Sequence, residues 1–304
     1  MSNDYQPAYY GNQNNEAKPE PTADERKEQL RKEREQVDSL RDRAAKEVVS
    51  SPEALESFLD TQTRLDRYSA ANVLLIHKLC PRATELKTAK EWNDAGIYIQ
   101  KGERHIPIVV PVQDKEDASR TYYNVKRVFD VSQTTSNKRK PAPSINRNPN
   151  EELTALFETA PIDVEAVDNL GYTDAVAIYN NNEGKLYVKK DVGDAAHLFQ
   201  AVALELAFAE LSVRSNVYDR EAMTFDAVCM ANIICKKYGI PAERYAITEL
   251  PRELQNKDAK TIRNELSTIR NIAADMISRV SNELYRQHAA QNKDKADPIR
   301  DNAR

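Results

Sequence analysis

The sequence predicts an α+β protein of two domains, each a small sheet with helices, closed by a long C-terminal helix. Three observations carry that prediction. Short runs rich in β-branched and aromatic residues occur in two groups, residues 97–131 and 162–189, with helically spaced stretches around them. Residues 137–150, holding three prolines and no hydrophobic run, lie between the two groups and read as a linker. A last apolar repeat, Ile262, Leu266, Ile269, Ala273, Met276, Val280 and Leu284, recurs at spacings of three and four.

Bulk properties bound the function. A chain of 304 residues, 40% hydrophobic and 30% charged, is long enough to bury a core. No stretch approaches the roughly 18 consecutive apolar residues of a membrane span, and the first thirty residues hold no apolar signal region. Composition therefore predicts no membrane partner and a cytoplasmic location. Cys80, Cys229 and Cys235 form no CxxC pair, which argues against a disulfide framework or a thiolate zinc knuckle. The net charge is -4, yet residues 61–140 hold 15 Lys plus Arg against 9 Asp plus Glu. A basic segment inside an acidic chain points weakly to nucleic acid, against a competing reading as a mixed solvated surface.

Taken in order, residues 1–23 are rich in Asn, Gln, Pro and Tyr and read as a disordered tail. Residues 24–50 interleave both charge signs around a thin stripe of Leu30, Val37, Leu40 and Ala44, which predicts a mostly exposed helix. Ser51-Pro52-Glu53 is a helix start with proline at the first turn, and Leu55, Phe58, Leu59 and Leu65 supply its buried face. A helix over Ala70 to Leu79 ends before Pro81, and a short one closes at Gly96. Strands are expected at Ile97 to Gln100, Ile106 to Gln113 and Tyr122 to Val131, with Lys101-Gly102-Glu103 as a turn. After the linker come a helix from Glu151 to Ala160 and strands at Ile162 to Val167, Ala175 to Tyr179 and Leu186 to Lys189. Helices over Asp194 to Val213 and Asp219 to Tyr238 follow, the second stopped by Gly239-Ile240-Pro241. Residues 251–288 form the final helix and 289–304 a second disordered tail.

Within residues 51–136, the segments NVLLIHKLCP, EWNDAGIYIQKGERHIPIVVPV and VFDVSQT stand in order. Over about residues 52 to 135 they resemble the N-terminal domain of ArdC-type antirestriction proteins and of LtrC-like proteins of conjugative elements. That resemblance implies single-stranded DNA as partner and a plasmid or conjugative element as the setting. The residues offer a physical means, because strand binding needs cations along the phosphates and aromatic faces for the bases. Arg64, Arg67, Lys87, Lys90, Lys101, Arg104, Lys126 and Arg127 supply cations, and Trp92, Tyr98, Tyr122 and Tyr123 supply rings. Gly102 lets the backbone of its turn approach a phosphate between two cations. For Trp92, a core anchor is the stronger competing reading. The polar residues of Phe129 to Thr134 read as backbone-bonding groups at a strand end, and His105 as a residue bordering the sheet.

In proteins of this resemblance a zincin-like metallopeptidase domain often follows, with an HExxH helix. Here residues 151–250 resemble that layout in spacing and apolar pattern, with a similar helix pair but without its ligands. Leu204 and Phe208 stand where two histidines would grip zinc, and of the motif Glu205 alone remains. Neither side chain offers a lone pair, so no catalytic residue, metal or cofactor is expected, and Glu205 reads as a capped or solvent-reaching carboxylate. Asp226 and Glu221 lie on the next helix, where a third ligand would be sought, and His197, Glu205 and Asp226 form a substitute metal set, though carboxylates without paired histidines make a poor zinc site. The function expected is therefore a single-stranded-DNA-binding, antirestriction-like accessory protein with an inactive second domain. Two alternatives stand beside it: an atypical zinc metallopeptidase of the ImmA/IrrE-like class, and a non-enzymatic assembly protein. The latter would form homo-oligomers through the charged N-terminal helix or the C-terminal helix.

Overall fold

The computed structural model describes residues 22–113, 117, 120–136, 148–171, 174–215 and 217–296. The chain forms two compact units, Met1–Pro143 with Glu249–Ser267, and Ser144–Thr248 with Thr268–Arg304. The expected tail 1–23 and linker 137–150 fall almost wholly outside the described residues. Residues 289–296 are helical where a tail was expected, and the remainder of that tail is outside the description.

The first unit opens with α1 (Ala23–Val48), started by a capping box in which Thr22 and Glu25 each take the other's backbone N–H. Its first half is solvated and carries Arg31 between Glu28 and Glu35. Its second half is not the exposed helix that its charges predict: Val37, Leu40, Ala44, Ala45 and Val48 are buried. Val37, Leu40, Ala44 and Val48 recur at three and four along one face, and Val37 and Leu40 pack on Leu75. Next come α2 (Pro52–Arg64), capped by Ser51, and α3 (Ala70–Leu79), capped by Ser69. In α3, Val73 to Ile76 are wholly buried, at about 1.5–3 kcal/mol of transfer free energy each.

The sheet of this unit is antiparallel, in the order β1 (Leu86–Lys87), β3 (Thr121–Asp130), β2 (Ile106–Gln113). Between β1 and β2 lies α4 (Ala89–Asp94), ended by Gly96 at φ 72°. The strand expected at Ile97 to Gln100 is only an isolated bridge between Ile99 and Thr134. Both edges of β3 are already taken by β1 and β2, and Ile99 instead packs with Trp92, Phe129 and Val131. Also in this unit are α8 (Arg252–Asn256) and the first turns of α9 (Ala259–Ala296), where Arg263 pairs with Asp42 at 3.1 Å.

The second unit runs α5 (Pro149–Glu158), β4 (Asp163–Val167), β5 (Ala177–Asn180), β6 (Lys185–Lys189), α6 (Ala195–Arg214) and α7 (Arg220–Tyr238), with the rest of α9. The sheet order is β4-β6-β5, with β4 parallel and β5 antiparallel to β6. Helix α6 is the core element. By length and composition it is apolar enough to cross a membrane, yet most of it is buried inside the unit. It also carries two buried glutamates, Glu205 and Glu210, each held by arginine. Gly239, left-handed at φ 68°, closes α7. From Ile262 to Val280 the apolar stripe of α9 is buried, so its own chain covers the face that a dimer seam would have used.

Candidate nucleic-acid interface

The expected cations do not gather in one groove. Successive side chains of a strand point to opposite faces. Lys126 accordingly meets Glu91 of α4 at 3.4 Å, while Arg127 donates to Glu33 of α1 at 2.8 Å. Glu91 is held below the usual carboxylate range by hydrogen bonds from the Thr88 backbone and hydroxyl, so Lys126 faces an ionised partner. Lys87 lies 2.8 Å from Glu85 and 4.4 Å from the Trp92 ring centroid, and Lys90 lies 3.0 Å from Asp94. Arg64 donates to the Pro81 carbonyl at 2.6 Å. Arg67, Lys101 and Arg104 are exposed.

Of the four rings, Trp92 is removed from the binding set. It is 1% exposed and its Nε1 donates to the Phe129 carbonyl at 2.9 Å, which makes it the anchor of α4 on β3. Tyr98, Tyr122 and Tyr123 are open to solvent, at 59%, 47% and 61%. The turn at Lys101-Gly102 is built from the other end of β3. Gln133 donates to the Glu103 carboxylate at 2.9 Å and to the Arg104 carbonyl at 2.8 Å. Asp130, fully buried, accepts from the Thr84 and Glu85 N–H groups and from the N–H and hydroxyl of Ser132. The VFDVSQT segment thus has the backbone-bonding role expected of it, and Gly102 sits at φ 90° in the turn it supports.

A groove of about 400 Å³ lies between α1 and the β2–β3 hairpin. Val37, Val109 and Val125 line its apolar part, Arg34, Asp38 and Arg41 stand along one side, and Tyr123 is at the other. Arg34 donates to Asn124 at 2.8 Å and Arg41 to Asp38 at 2.5 Å. Burial lowers the Arg41 pKa against the opposing pull of Asp38. Arg34 and Arg41 escaped the sequence reading because they sit in a run that looks uniformly solvated. Their spacing of seven, with Val37 between them, was the available signal, since it places all three on one helical face.

In the second unit, Phe208 is 2% exposed and Glu205 5%, and Leu204 is half-buried. The Glu205 carboxylate is neither a cap nor a solvent-reaching group. It accepts from the Tyr179 N–H at 2.8 Å and from both terminal nitrogens of Arg220. The Arg220 guanidinium also lies 4.0 Å from the centroid of Phe208. Burial opposes the Arg220 charge, but the Glu205 hydrogen bonds and charge outweigh it and the pKa is raised. A divalent cation does not fit: the two positions that need imidazole hold hydrocarbon, and the carboxylate is already compensated by a guanidinium. His197 faces a cation, with Arg244 at 2.8 Å, and Asp226 has partners of its own. Among the described residues no three His, Cys, Asp or Glu side chains gather to hold a metal, so the set His197, Glu205 and Asp226 is not assembled.

Residues 22–147 match the family model of the N-terminal domain of the anti-restriction factor ArdC. That match takes in α1, well ahead of residue 52 where the resembling motifs begin. No curated protein matches the chain. Among solved structures the chain is similar to the antirestriction ArdC protein from plasmid R388. Its metal-free form aligns at 17% identity and TM-score 0.47, covering 71% of this chain and 86% of that one. Its Mn(II)-bound form aligns at 15% identity and TM-score 0.47, covering 75% and 97%.

Proposed function

We propose, from a chain whose residues 22–147 match the model of ArdC N-terminal domains, that the first unit binds single-stranded DNA without sequence preference. In this reading the protein is an antirestriction-like accessory factor of a mobile element, acting in the cytoplasm, where incoming strands meet restriction enzymes and nucleases. One observation carries the reading beyond that match. Tyr98, Tyr122 and Tyr123, three large rings, are exposed on a unit that buries its other aromatic anchors, Phe58, Trp92 and Phe129. Exposed rings beside cations are what unstacked bases and their phosphates require, and a duplex, whose bases are already stacked, gains little from them.

The second unit, in this reading, is a zincin-like scaffold without peptidase chemistry. What supports that is the Glu205–Arg220 pair, which occupies the one carboxylate that a metal-activated water would need. Binding of a fluorescent oligonucleotide across a salt series tests the DNA reading. The association constant should fall with salt at a logarithmic slope of about 0.7 per phosphate contacted, and duplex of the same length should bind more weakly. No affinity for single strands at low salt would sink it. Protection of a single strand from nuclease digestion, in proportion to occupancy, tests the shielding role.

A further inference from the structure

We propose that the groove between α1 and the β2–β3 hairpin is a single-nucleotide pocket, in which Tyr123 stacks on one base while Arg34 and Arg41 hold the adjoining phosphate. This rests on the single-strand reading above and adds to it the place of one nucleotide. Four features of the groove select this occupant. Its volume, about 400 Å³, is within the range of small-ligand sites. Val37, Val109 and Val125 give it an apolar lining for the flat face of a base. Tyr123 lines the groove and, at 61% exposure, leaves most of its surface open. The charged residues on its lining are two guanidinium groups and one carboxylate, so the net charge suits a phosphate rather than a cation.

Arg41 is the most telling of these. Its side chain lines the groove at 17% exposure and donates one terminal N–H to Asp38 at 2.5 Å. A guanidinium carries five N–H donors, more than that one carboxylate oxygen takes, and a phosphate oxygen is a charge-matched acceptor for another. Arg34, tied to Asn124 across the groove, is held ready on the same helical face. Both arginines belong to the stretch of α1 that is anchored through Val37 and Leu40, so the pocket is formed before any strand arrives. Asp38 has a second consequence, because its charge limits the groove to about one phosphate and keeps it from being a general polyanion track.

The test uses the full chain and short fluorescent oligonucleotides at low salt. Replacing Tyr123 by alanine should weaken single-strand binding roughly tenfold, and replacing it by phenylalanine should leave binding unchanged. Arg41→Gln should reduce the logarithmic salt slope by about 0.7. On a strand whose bases are removed to leave abasic sugars, Tyr123→Ala should bind as the unmodified chain does, an outcome that a merely structural role would not give. A strand carrying iodouracil should crosslink to Tyr123, mapped by mass spectrometry. If the unmodified chain binds single strands and Tyr123→Ala binds them equally well, or if crosslinks form only elsewhere, the pocket is overturned and the DNA reading survives. If the unmodified chain binds no single strand, both fall together.

Discussion

At Glu205 a buried carboxylate meets one backbone N–H and both terminal nitrogens of one guanidinium, which joins α6, β5 and the start of α7. Removing one member of a buried pair leaves the other without compensation, at about 3–5 kcal/mol when both are enclosed. Arg220 is 42% exposed, which lowers the expectation for Glu205→Ala to about 2–3 kcal/mol. Urea unfolding followed by circular dichroism measures it, and an unchanged midpoint would show the pair to be idle. The double variant Glu205→Leu with Arg220→Leu should be less destabilised than the sum of the single ones, because hydrocarbon can fill the same space. At His77, burial and then the nearby Arg64 push the imidazole pKa down, with Asp60 opposing. The folded chain therefore binds that proton less readily than the unfolded chain. Its contribution to stability is present above about pH 6.5, the unfolded value, and is lost as pH falls towards the folded one. Melting temperatures taken between about pH 7 and pH 5 should decline, and His77→Gln should flatten the decline.

Among elements, β3 shows how one strand serves two purposes. Its last three residues, Val128 to Asp130, are buried and pinned by Trp92 and by the Asp130 hydrogen bonds, while Thr121 to Asn124 stand exposed at the other end. Rigid support under an open surface suits a binding element, because less ordering remains to be done when a ligand arrives. The turn at Gly102 depends on the same support. A Cβ there would meet no atom within 4 Å, so the effect of Gly102→Ala comes from φ 90° alone. That substitution should cost about 1–2 kcal/mol in urea unfolding, and a chain as stable as the parent would show that the turn relaxes to another conformation. In α1, likewise, charge dominates the sequence while five buried aliphatic side chains decide where the helix lies.

For the whole molecule, several of the described cations within residues 61–140 are paired with carboxylates, as Lys87, Lys90, Lys126 and Arg127 show. Single-strand affinity should accordingly be moderate and rest on stacking as much as on counterion release. At Glu205 the positive charge comes from Arg220, which predicts that the second unit folds alike with and without metal. Its melting temperature should be the same in chelator as in added Zn(II) or Mn(II). A metal that binds only the folded state would raise it, and such a rise would overturn the assignment.

What the sequence by itself determined is local. Thr22, Ser51, Ser69, Thr88, Asp194 and Asp219 cap helices through neighbours two or three residues away, and Gly96 and Gly239 end them by adopting positive φ. That Leu204 and Phe208 share one helical face was legible for the same reason, since about one turn separates them. The opposite faces of Lys126 and Arg127 were also legible, in the two-residue period of a strand. Only the tertiary structure decided the rest. Arg220 reaches Glu205 across fifteen positions, and Arg34 reaches Asn124 across ninety. Such pairs depend on helix packing and sheet register, which local propensity leaves open. The same holds for Trp92, whose ring is equally suited to a base or to a core until its burial against β3 is known.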